Sequence, residues 1–191
     1  MTEATHLPFE QLEAGLEAIR QAPRDVGELK LIVRRPNTDA REVLNESRLD
    51  VAFGLDGDNW KSRGSTRTPD GSANPETQIT VMNARVIALL SPDRDRWPLA
   101  GDQLYVDFDL SEANVPAGTR LAIGEAVIEV TPPPHTGCGK FATRFGKDAV
   151  KFVNSEQGKA LHMRGINTKV VKSGPIRVGD IVKKIPAPGA R

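Results

Sequence analysis

The residues with the clearest chemical potential lie in residues 131–147, TPPPHTGCGKFATRFGK, which contain Cys138, the only cysteine of the chain. A cysteine acts as a nucleophile or metal ligand only as the thiolate, so its neighbours decide its chemistry. Gly137 and Gly139 flank it and allow backbone conformations closed to other residues, which predicts a tight turn with room for a ligand. A lone cysteine can form neither an internal disulfide nor a zinc site of several cysteines. We therefore expect Cys138 to act as a single thiolate.

Basic residues follow the cysteine at helical spacing. In a helix that starts at residue 140, a rotation of about 100° per residue places four of them in one sector, namely Lys140, Arg144, Lys147 and Lys151. A neighbouring sector is apolar and consists of Phe141, Phe145, Ala149 and Phe152. Positive charge two residues after the thiol would lower its pKa and attract an anionic ligand. Gly146 can break this helix midway, and a basic helix face is often no more than a solvated surface.

His135 and Arg164 complete the set of candidate binding residues. His135 lies three residues before the cysteine, where it would either contact a bound metal or hold the turn through a hydrogen bond. Arg164, next to Gly165 in LHMRGI, joins Lys140 and Arg144 as a candidate for contact with a phosphate group. Together these residues suit a thiolate held beside an anionic ligand that carries a metal or a phosphate.

The elements that position this stretch follow from hydrophobic spacing. One N-terminal amphipathic helix is predicted by apolar residues at spacings of three and four, which are Phe9, Leu12, Leu16 and Ile19. The polar, turn-rich residues 62–77 predict a long surface loop, at whose head Lys61 and Arg63 could fold over a ligand. Asn83 is predicted to cap a short helix.

Short apolar runs separated by turn residues predict a series of strands. They are 29–33, 51–53, 78–82, 104–110, 119–124, 126–130, 169–171, 175–178 and 180–185. The prolines at 132–134 end the strand before them, because proline has no N–H to give a ladder. Many short strands joined by tight turns favour a sheet closed on itself. We predict a mainly β fold with a few helices, made of an N-terminal helical extension (1–28), one β-barrel domain (29–186) and a flexible tail (187–191).

The composition excludes several classes of protein. With 26 Lys and Arg against 25 Asp and Glu, the formal net charge is +1, so no global field would draw the chain to nucleic acid or to a membrane. No apolar run approaches the roughly 18 residues that span a bilayer, and the first residues lack the features of a signal peptide. We therefore expect a cytoplasmic protein without nucleic-acid or membrane partners, in which any anion site is local.

Two runs, residues 99–130 and 132–182, carry a resemblance to a known family. LAGDQLYVDFDLSEANVPAGTRLAIGEAVIEV and PPPHTGCGKFATRFGKDAVKFVNSEQGKALHMRGINTKVVKSGPIRVGDIV together resemble a stand-alone MOSC domain, named after the C-terminal domain of molybdenum-cofactor sulfurases. The resemblance covers roughly residues 50–185 and implies a MOSC-like β-barrel whose cysteine serves the molybdenum cofactor (molybdopterin). Cys138 is the matching residue, and it would ligate molybdenum or carry sulfur as a persulfide.

The resemblance also implies a class of activity. It implies a small molybdenum-cofactor-dependent oxidoreductase or a carrier of cofactor or sulfur, with a redox or sulfur-donor protein as partner. Longer relatives that reduce N-hydroxylated compounds have a separate N-terminal β-barrel domain, and residues 1–50 are too few for one. The aminotransferase-like part of the sulfurases does not occur in the sequence either, so no pyridoxal phosphate is expected.

Two other functions stay open at this point. His135, Cys138 and His162 could form a zinc site with an open position for water, although no HExxH motif supplies a general base. Alternatively, the chain is a non-catalytic module that binds an anionic metabolite or a partner protein, with Cys138 incidental. A lone cysteine is also often only a small buried hydrophobe.

Overall fold

A closed β-barrel forms the centre of the structure, a computed structural model that describes residues 6–186. The strands are β1 (Val26–Arg34), β2 (Glu42–Leu44), β3 (Glu46–Asp50), β4 (Gly54–Leu55), β5 (Ile79–Asn83), β6 (Leu104–Asp107), β7 (Arg120–Ile123), β8 (Ala126–Val130), β9 (Ile166–Lys172), β10 (Gly174–Arg177) and β11 (Ile181–Ile185). The α-helices are α1 (Phe9–Ala14), α2 (Leu16–Arg20), α3 (Trp60–Arg63), α4 (Ala84–Leu90), α5 (Gly139–Phe145), α6 (Lys147–Val153) and α7 (Glu156–Ala160). Short 3₁₀ helices span Pro75–Thr77 and Arg94–Ala100.

The barrel is closed by a pair of strands from opposite ends of the chain. Its order is β11-β7-β8-β9-β5-β6-β1, and β1 pairs with β11 to complete the ring. Neighbouring strands are antiparallel except β5 and β6, which run parallel. β2 continues the sheet beyond the ring, and β10, β3 and β4 form a second small sheet. The prediction of a mainly β, barrel-like fold in one domain is confirmed.

The strands divide their apolar side chains between the barrel interior and an outer helical layer. In β1, Leu29 and Ile32 belong to the interior cluster, whereas Leu31 and Val33 belong to a second cluster beneath the helices. A β-bulge between Leu29 and Leu31 shifts the register of β1 against β6, which explains why residues two apart face opposite sides. Apolar residues of α1, α2, α4, α5 and α6 and of the 3₁₀ helix Arg94–Ala100 also belong to the outer cluster.

Two short helices, α5 and α6, lie directly after the cysteine. The predicted apolar sector is confirmed, since its four members are all buried: Phe141, Phe145, Ala149 and Phe152. Gly146 has a φ of +94° and divides the predicted helix in two, so the four basic residues do not form one continuous stripe. Lys147 is exposed, and the Lys151 ammonium lies 4.4 Å from the centre of the Phe9 ring.

Two local predictions were wrong. The N-terminal segment forms two helices, α1 and α2, because the N–H of Gly15 makes a tighter bond to the carbonyl three residues before it. Residues 51–53 form an exposed turn and not a strand. The carboxylate of Asp50 accepts hydrogen bonds from the N–H groups of Ala52 and Phe53, which closes this turn and satisfies the backbone locally.

Several other expectations can be compared with the structure. Asn83 caps α4 with its side-chain oxygen, as predicted. Most of residues 62–77 is loop. β1 begins at Val26, so the end of the predicted extension is part of the barrel, whereas the predicted tail 187–191 lies outside the described residues. Among the described residues, no helix combines the length and apolarity needed to cross a membrane.

Gly165 lets the chain pass close to β5 just before β9, and we expect Gly165→Ala to destabilise the fold. Its φ is +106°, and an added Cβ would overlap the carbonyl oxygen of Val81. The strained backbone of an alanine at this φ and the overlap of its Cβ with Val81 together predict a loss of about 2–4 kcal/mol in the free energy of unfolding. Urea denaturation measures this loss. Gly118→Ala is the control, because Gly118 has a φ of +90° but open space around it. Its expected loss is about 1–2 kcal/mol, and equal losses would contradict the overlap.

Candidate functional site

The loop that carries the cysteine leaves the barrel after β8 and is pinned at two points. Asn154, which follows α6, holds Gly137: its Oδ1 accepts the Gly137 N–H at 2.9 Å, and its Nδ2 donates to the Gly137 carbonyl at 3.0 Å. Asn167 Nδ2 donates to the Pro133 carbonyl at 3.0 Å. No local sequence signal marks either asparagine, because the two lie 17 and 34 residues from the positions they bind.

Cys138 is exposed at the position just before α5. Partial burial of its sulfur opposes ionisation, but the backbone N–H groups of Phe141 and Lys140 and the positive charge of Arg164 favour the thiolate. The net result is a pKa of Cys138 below its ordinary value. An exposed thiol of this kind fits a metal ligand or sulfur acceptor, and it does not fit the alternative of a small buried hydrophobe.

We expect Cys138 to react with iodoacetamide at lower pH than an ordinary thiol. Because the folded protein favours the thiolate, the midpoint of the rate against pH should lie below that of the same cysteine in the urea-unfolded chain. The chain has one cysteine. The fraction of labelled chains, measured by mass spectrometry of the intact protein, therefore reports on this thiol alone. A folded midpoint equal to the unfolded one, or above it, would contradict the electrostatic description.

Cys138 lies where two cavities meet, and we name their union the thiol cleft. The cavities have volumes of about 240 and about 910 Å³, and both are bordered by Arg35, Arg63 and Cys138. The other charged residues of the smaller cavity are Asp39, Arg41, Lys140 and Arg144. The larger cavity lies against the polar loop at 64–71 and reaches His135. The cleft therefore brings three of the candidate binding residues, Lys140, Arg144 and His135, to the same opening as the thiol.

Cations outnumber carboxylates in the thiol cleft. Arg35 is neutralised by Asp58, with two nitrogen–oxygen distances of 2.9 Å. Arg41 donates to the backbone carbonyls of Ala40 and Pro98. Neither Arg41 nor Arg63 contacts a carboxylate within the part of the chain that the structure describes. Unneutralised guanidinium groups attract anions, so the cleft has the charge that an anionic ligand requires.

Asp39 supplies the carboxylate of the smaller cavity. Its Oδ1 lies 3.0 Å from Arg144 Nη2 and 3.4 Å from Lys140 Nζ. The hydrogen bond from Lys140 lowers the pKa of Asp39 below its ordinary value, so the carboxylate is charged at neutral pH. Two residues predicted to bind phosphate therefore already hold an internal anion, which an incoming ligand would have to replace.

Asp39→Asn should tighten the binding of inorganic pyrophosphate to the cation-rich cleft. The variant removes the charge that competes for Lys140 and Arg144, and the gain should shrink as salt screens the cleft. Isothermal titration calorimetry at two ionic strengths measures both effects. Glu13→Gln is the control, since it removes the same charge from the exposed face of α1. Equal gains in the two variants, or no gain for Asp39→Asn, would contradict direct competition.

Arg164 and His135 meet a buried carboxylate, Asp102, beneath the cysteine loop. In place of the predicted phosphate contact, Arg164 is buried, with Nη1 2.6 Å from Asp102 Oδ2 and Nη2 2.8 Å from the carbonyl of Ala100. His135 Nδ1 lies 3.4 Å from Asp102 Oδ1. Burial and the charges of Arg164 and Arg35 hold the pKa of His135 well below its ordinary value. The imidazole is therefore neutral, and its contact with Asp102 is not an ion pair.

The alternative of a zinc site was wrong. Within residues 6–186, no group of three or more His, Cys, Asp or Glu side chains is placed to hold a metal ion. His162 has other partners, with Nδ1 2.7 Å from the carbonyl of Leu110 and Nε2 3.1 Å from the carboxylate of Glu112. It borders a separate cavity of about 620 Å³ that His135 also borders but that does not reach Cys138.

Comparisons with known proteins agree with this architecture. The family model of the MOSC domain matches residues 71–183. The structure of the YuaD protein from Bacillus subtilis is similar with a TM-score of 0.56 at 17% identity, over 83% of this chain and 95% of that chain. YiiM from Escherichia coli is similar with a TM-score of 0.55 at 19% identity, over 85% of this chain and 72% of that chain. No curated protein sequence matches the chain.

Proposed function

The chain belongs to the MOSC domain family, and we propose that it binds the molybdenum cofactor through Cys138. The protein would act as a small oxidoreductase or as a carrier of cofactor or sulfur, and the thiolate is the reactive group in both forms. The observation that carries the proposal is the accessible thiol of Cys138, with its lowered pKa, at the junction of the two cavities of the cationic cleft.

The residues of the thiol cleft fit such a cofactor, which is a phosphorylated pterin whose sulfur atoms bind the metal. A thiolate is a soft ligand of the type that molybdenum favours beside those sulfurs. Arg41 and Arg63 lack carboxylate partners among the described residues and suit a phosphate. The cavity of about 910 Å³ has room for a ring system.

Each residue has a defined part in this proposal. The bound cofactor would supply the metal and its redox or sulfur-transfer chemistry. Cys138 would be the protein ligand of the metal, or it would take a sulfane sulfur atom from the persulfide of a sulfur-donor protein, whose own thiolate would leave. Lys140 and Arg144 would release Asp39 and bind the phosphate. Arg164 would act at a distance, since its charge favours the thiolate and its N–H groups bind Asp102 and the backbone.

We extend the proposal to a cytoplasmic protein that receives cofactor, electrons or sulfur from a partner protein and that has no nucleic-acid or membrane partner. The near-neutral net charge supports the last point. A non-catalytic module for an anionic metabolite is the second candidate function, and the same unneutralised cations favour it. In that case the wild type would retain no cofactor, which separates the two candidates, since both expect Cys138→Ser to leave pyrophosphate binding unchanged.

Protection of the thiol tests the leading proposal. In the ligand form, Cys138 should react slowly with iodoacetamide in protein from a molybdate-fed host, and fully in protein from a host that cannot make the pterin. A protected thiol without added mass would identify the ligand form. An extra sulfur atom on Cys138, removed by reductant, would identify the sulfur-carrier form. Equal reactivity and unmodified mass from both hosts would contradict the proposal.

A further inference from the structure

Three buried polar atoms beneath the cysteine loop have no hydrogen-bond partner within the described residues: Asp102 Oδ1, His135 Nδ1 and Arg164 Nε. Buried polar atoms are normally paired, so a group of them points to a role beyond packing. Asp102 is fully buried and its other oxygen is held by Arg164 Nη1 at 2.6 Å. A fixed carboxylate whose free oxygen lies 3.4 Å from an imidazole nitrogen is an arrangement that orients a histidine.

This approach of Asp102 Oδ1 to Nδ1 favours one of the two ring nitrogens of His135 as the site of its proton. An ionised carboxylate only accepts hydrogen bonds, so an Nδ1 without a proton would be repelled by Asp102 Oδ1. The imidazole is neutral and has one N–H to place, because burial and the charges of Arg164 and Arg35 disfavour its protonated form. With that proton on Nδ1, the other ring nitrogen, Nε2, is a hydrogen-bond acceptor.

The ring that carries this acceptor borders the cleft that also contains the thiol. Nε2 has no partner within residues 6–186 and is not among the buried atoms, and the His135 side chain keeps 19% of its surface exposed. His135 and Cys138 both border the cavity of about 910 Å³. The arginines and lysine around the thiol are donors, so the cleft would recognise a ligand that joins an anionic group to an N–H group.

We propose that Asp102, held by Arg164, is a positioning residue that fixes His135 as a hydrogen-bond acceptor for an N–H group of the ligand bound at Cys138. The inference rests on the proposed function for the identity of that ligand, since a pterin carries N–H groups. The state of His135 itself does not depend on the proposed function. In the rival arrangement, Nδ1 would accept a hydrogen bond from Arg164 Nε and the proton would lie on Nε2.

The position of the proton can be measured without any cofactor. Long-range ¹H–¹⁵N correlation spectra of histidine-labelled protein should show His135 with a proton on Nδ1 and none on Nε2. The chain has three histidines, and the spectrum of His135→Gln assigns the signals. Asp102→Asn places a donor opposite Nδ1 and should move the proton to Nε2. A wild-type His135 with its proton on Nε2 would overturn the inference.

Replacement of His135 by asparagine or by glutamine tests the roles of its two ring nitrogens separately. Asparagine places its amide near Nδ1 and keeps the contact with Asp102, whereas glutamine reaches the position of Nε2 and can accept from the ligand. His135→Asn should speed molybdenum loss during dialysis about tenfold, the worth of one hydrogen bond, and His135→Gln less than about threefold. Equal rates in the two variants would overturn the acceptor role. A wild type without molybdenum would contradict the proposed function, and the proton position would still decide the inference about His135.

Discussion

Arg164→Met will lower the free energy of unfolding by about 3–5 kcal/mol, because it leaves a fully buried carboxylate without its partner. Burial already raises the pKa of Asp102 above its ordinary value although Arg164 opposes this shift, and loss of the guanidinium will raise it further. The loss in the free energy of unfolding should have its full size at pH values above this raised pKa. It should shrink as the pH falls toward the pKa of an unfolded aspartate. Urea denaturation at several pH values measures both effects.

Two controls separate this effect from the loss of a ligand-binding charge. Arg63→Met removes an equal charge from the exposed wall of the cleft, so stability should stay within about 0.5 kcal/mol of the wild type. Asp102→Leu combined with Arg164→Met removes both buried charges and should recover most of the lost stability. An Arg164→Met protein as stable as the wild type would contradict a structural ion pair and would favour direct ligand contact by Arg164.

Cys138→Ala will abolish the retention of molybdenum and pterin while the fold stays intact. Replacing an outer residue of a metal site costs about 10–100-fold in affinity, so loss of the protein ligand itself should cost roughly 100-fold or more. Cys138 is exposed, and the stability change should therefore stay within about 0.5 kcal/mol. Metal analysis and the fluorescence of the oxidised pterin measure retention, and urea denaturation measures stability.

Cys138→Ser is the matched control for this variant. It keeps the size and polarity of the side chain, but its hydroxyl is not ionised at neutral pH and is a harder ligand. We expect the same loss of cofactor, with pyrophosphate binding at the cations of the cleft unchanged. Normal molybdenum content in either variant would exclude Cys138 as the ligand.

Local sequence patterns were sufficient for the barrel and for the accessibility of the thiol. Short apolar runs bounded by turn residues predicted most of the strands, since side-chain period and turn chemistry are local properties. The prolines at 132–134 had to leave the sheet, and the glycines around Cys138 favoured an open turn. The prediction failed at 51–53, where the Asp50 side chain binds the backbone and overrides the apolar character of Val51 and Phe53.

The partners of the site residues could not be predicted in the same way. Asp39 meets Arg144 across 105 positions, and Asp102 meets Arg164 across 62. No local signal marks either aspartate, because these pairs come together only when β1, β6 and β9 are part of the same sheet. Gly165 beside Arg164 suggested an open ligand contact, whereas the glycine is needed for the close approach to Val81.

Molybdenum and oxidised pterin per chain, in wild-type protein from a molybdate-fed host competent in cofactor synthesis, test the central claim most directly. We predict near-stoichiometric amounts of both, together with an iodoacetamide-resistant or sulfur-bearing Cys138. Neither molybdenum nor pterin, in folded protein whose thiol still ionises at lowered pH, would contradict cofactor binding. That result would favour the module that binds an anionic metabolite.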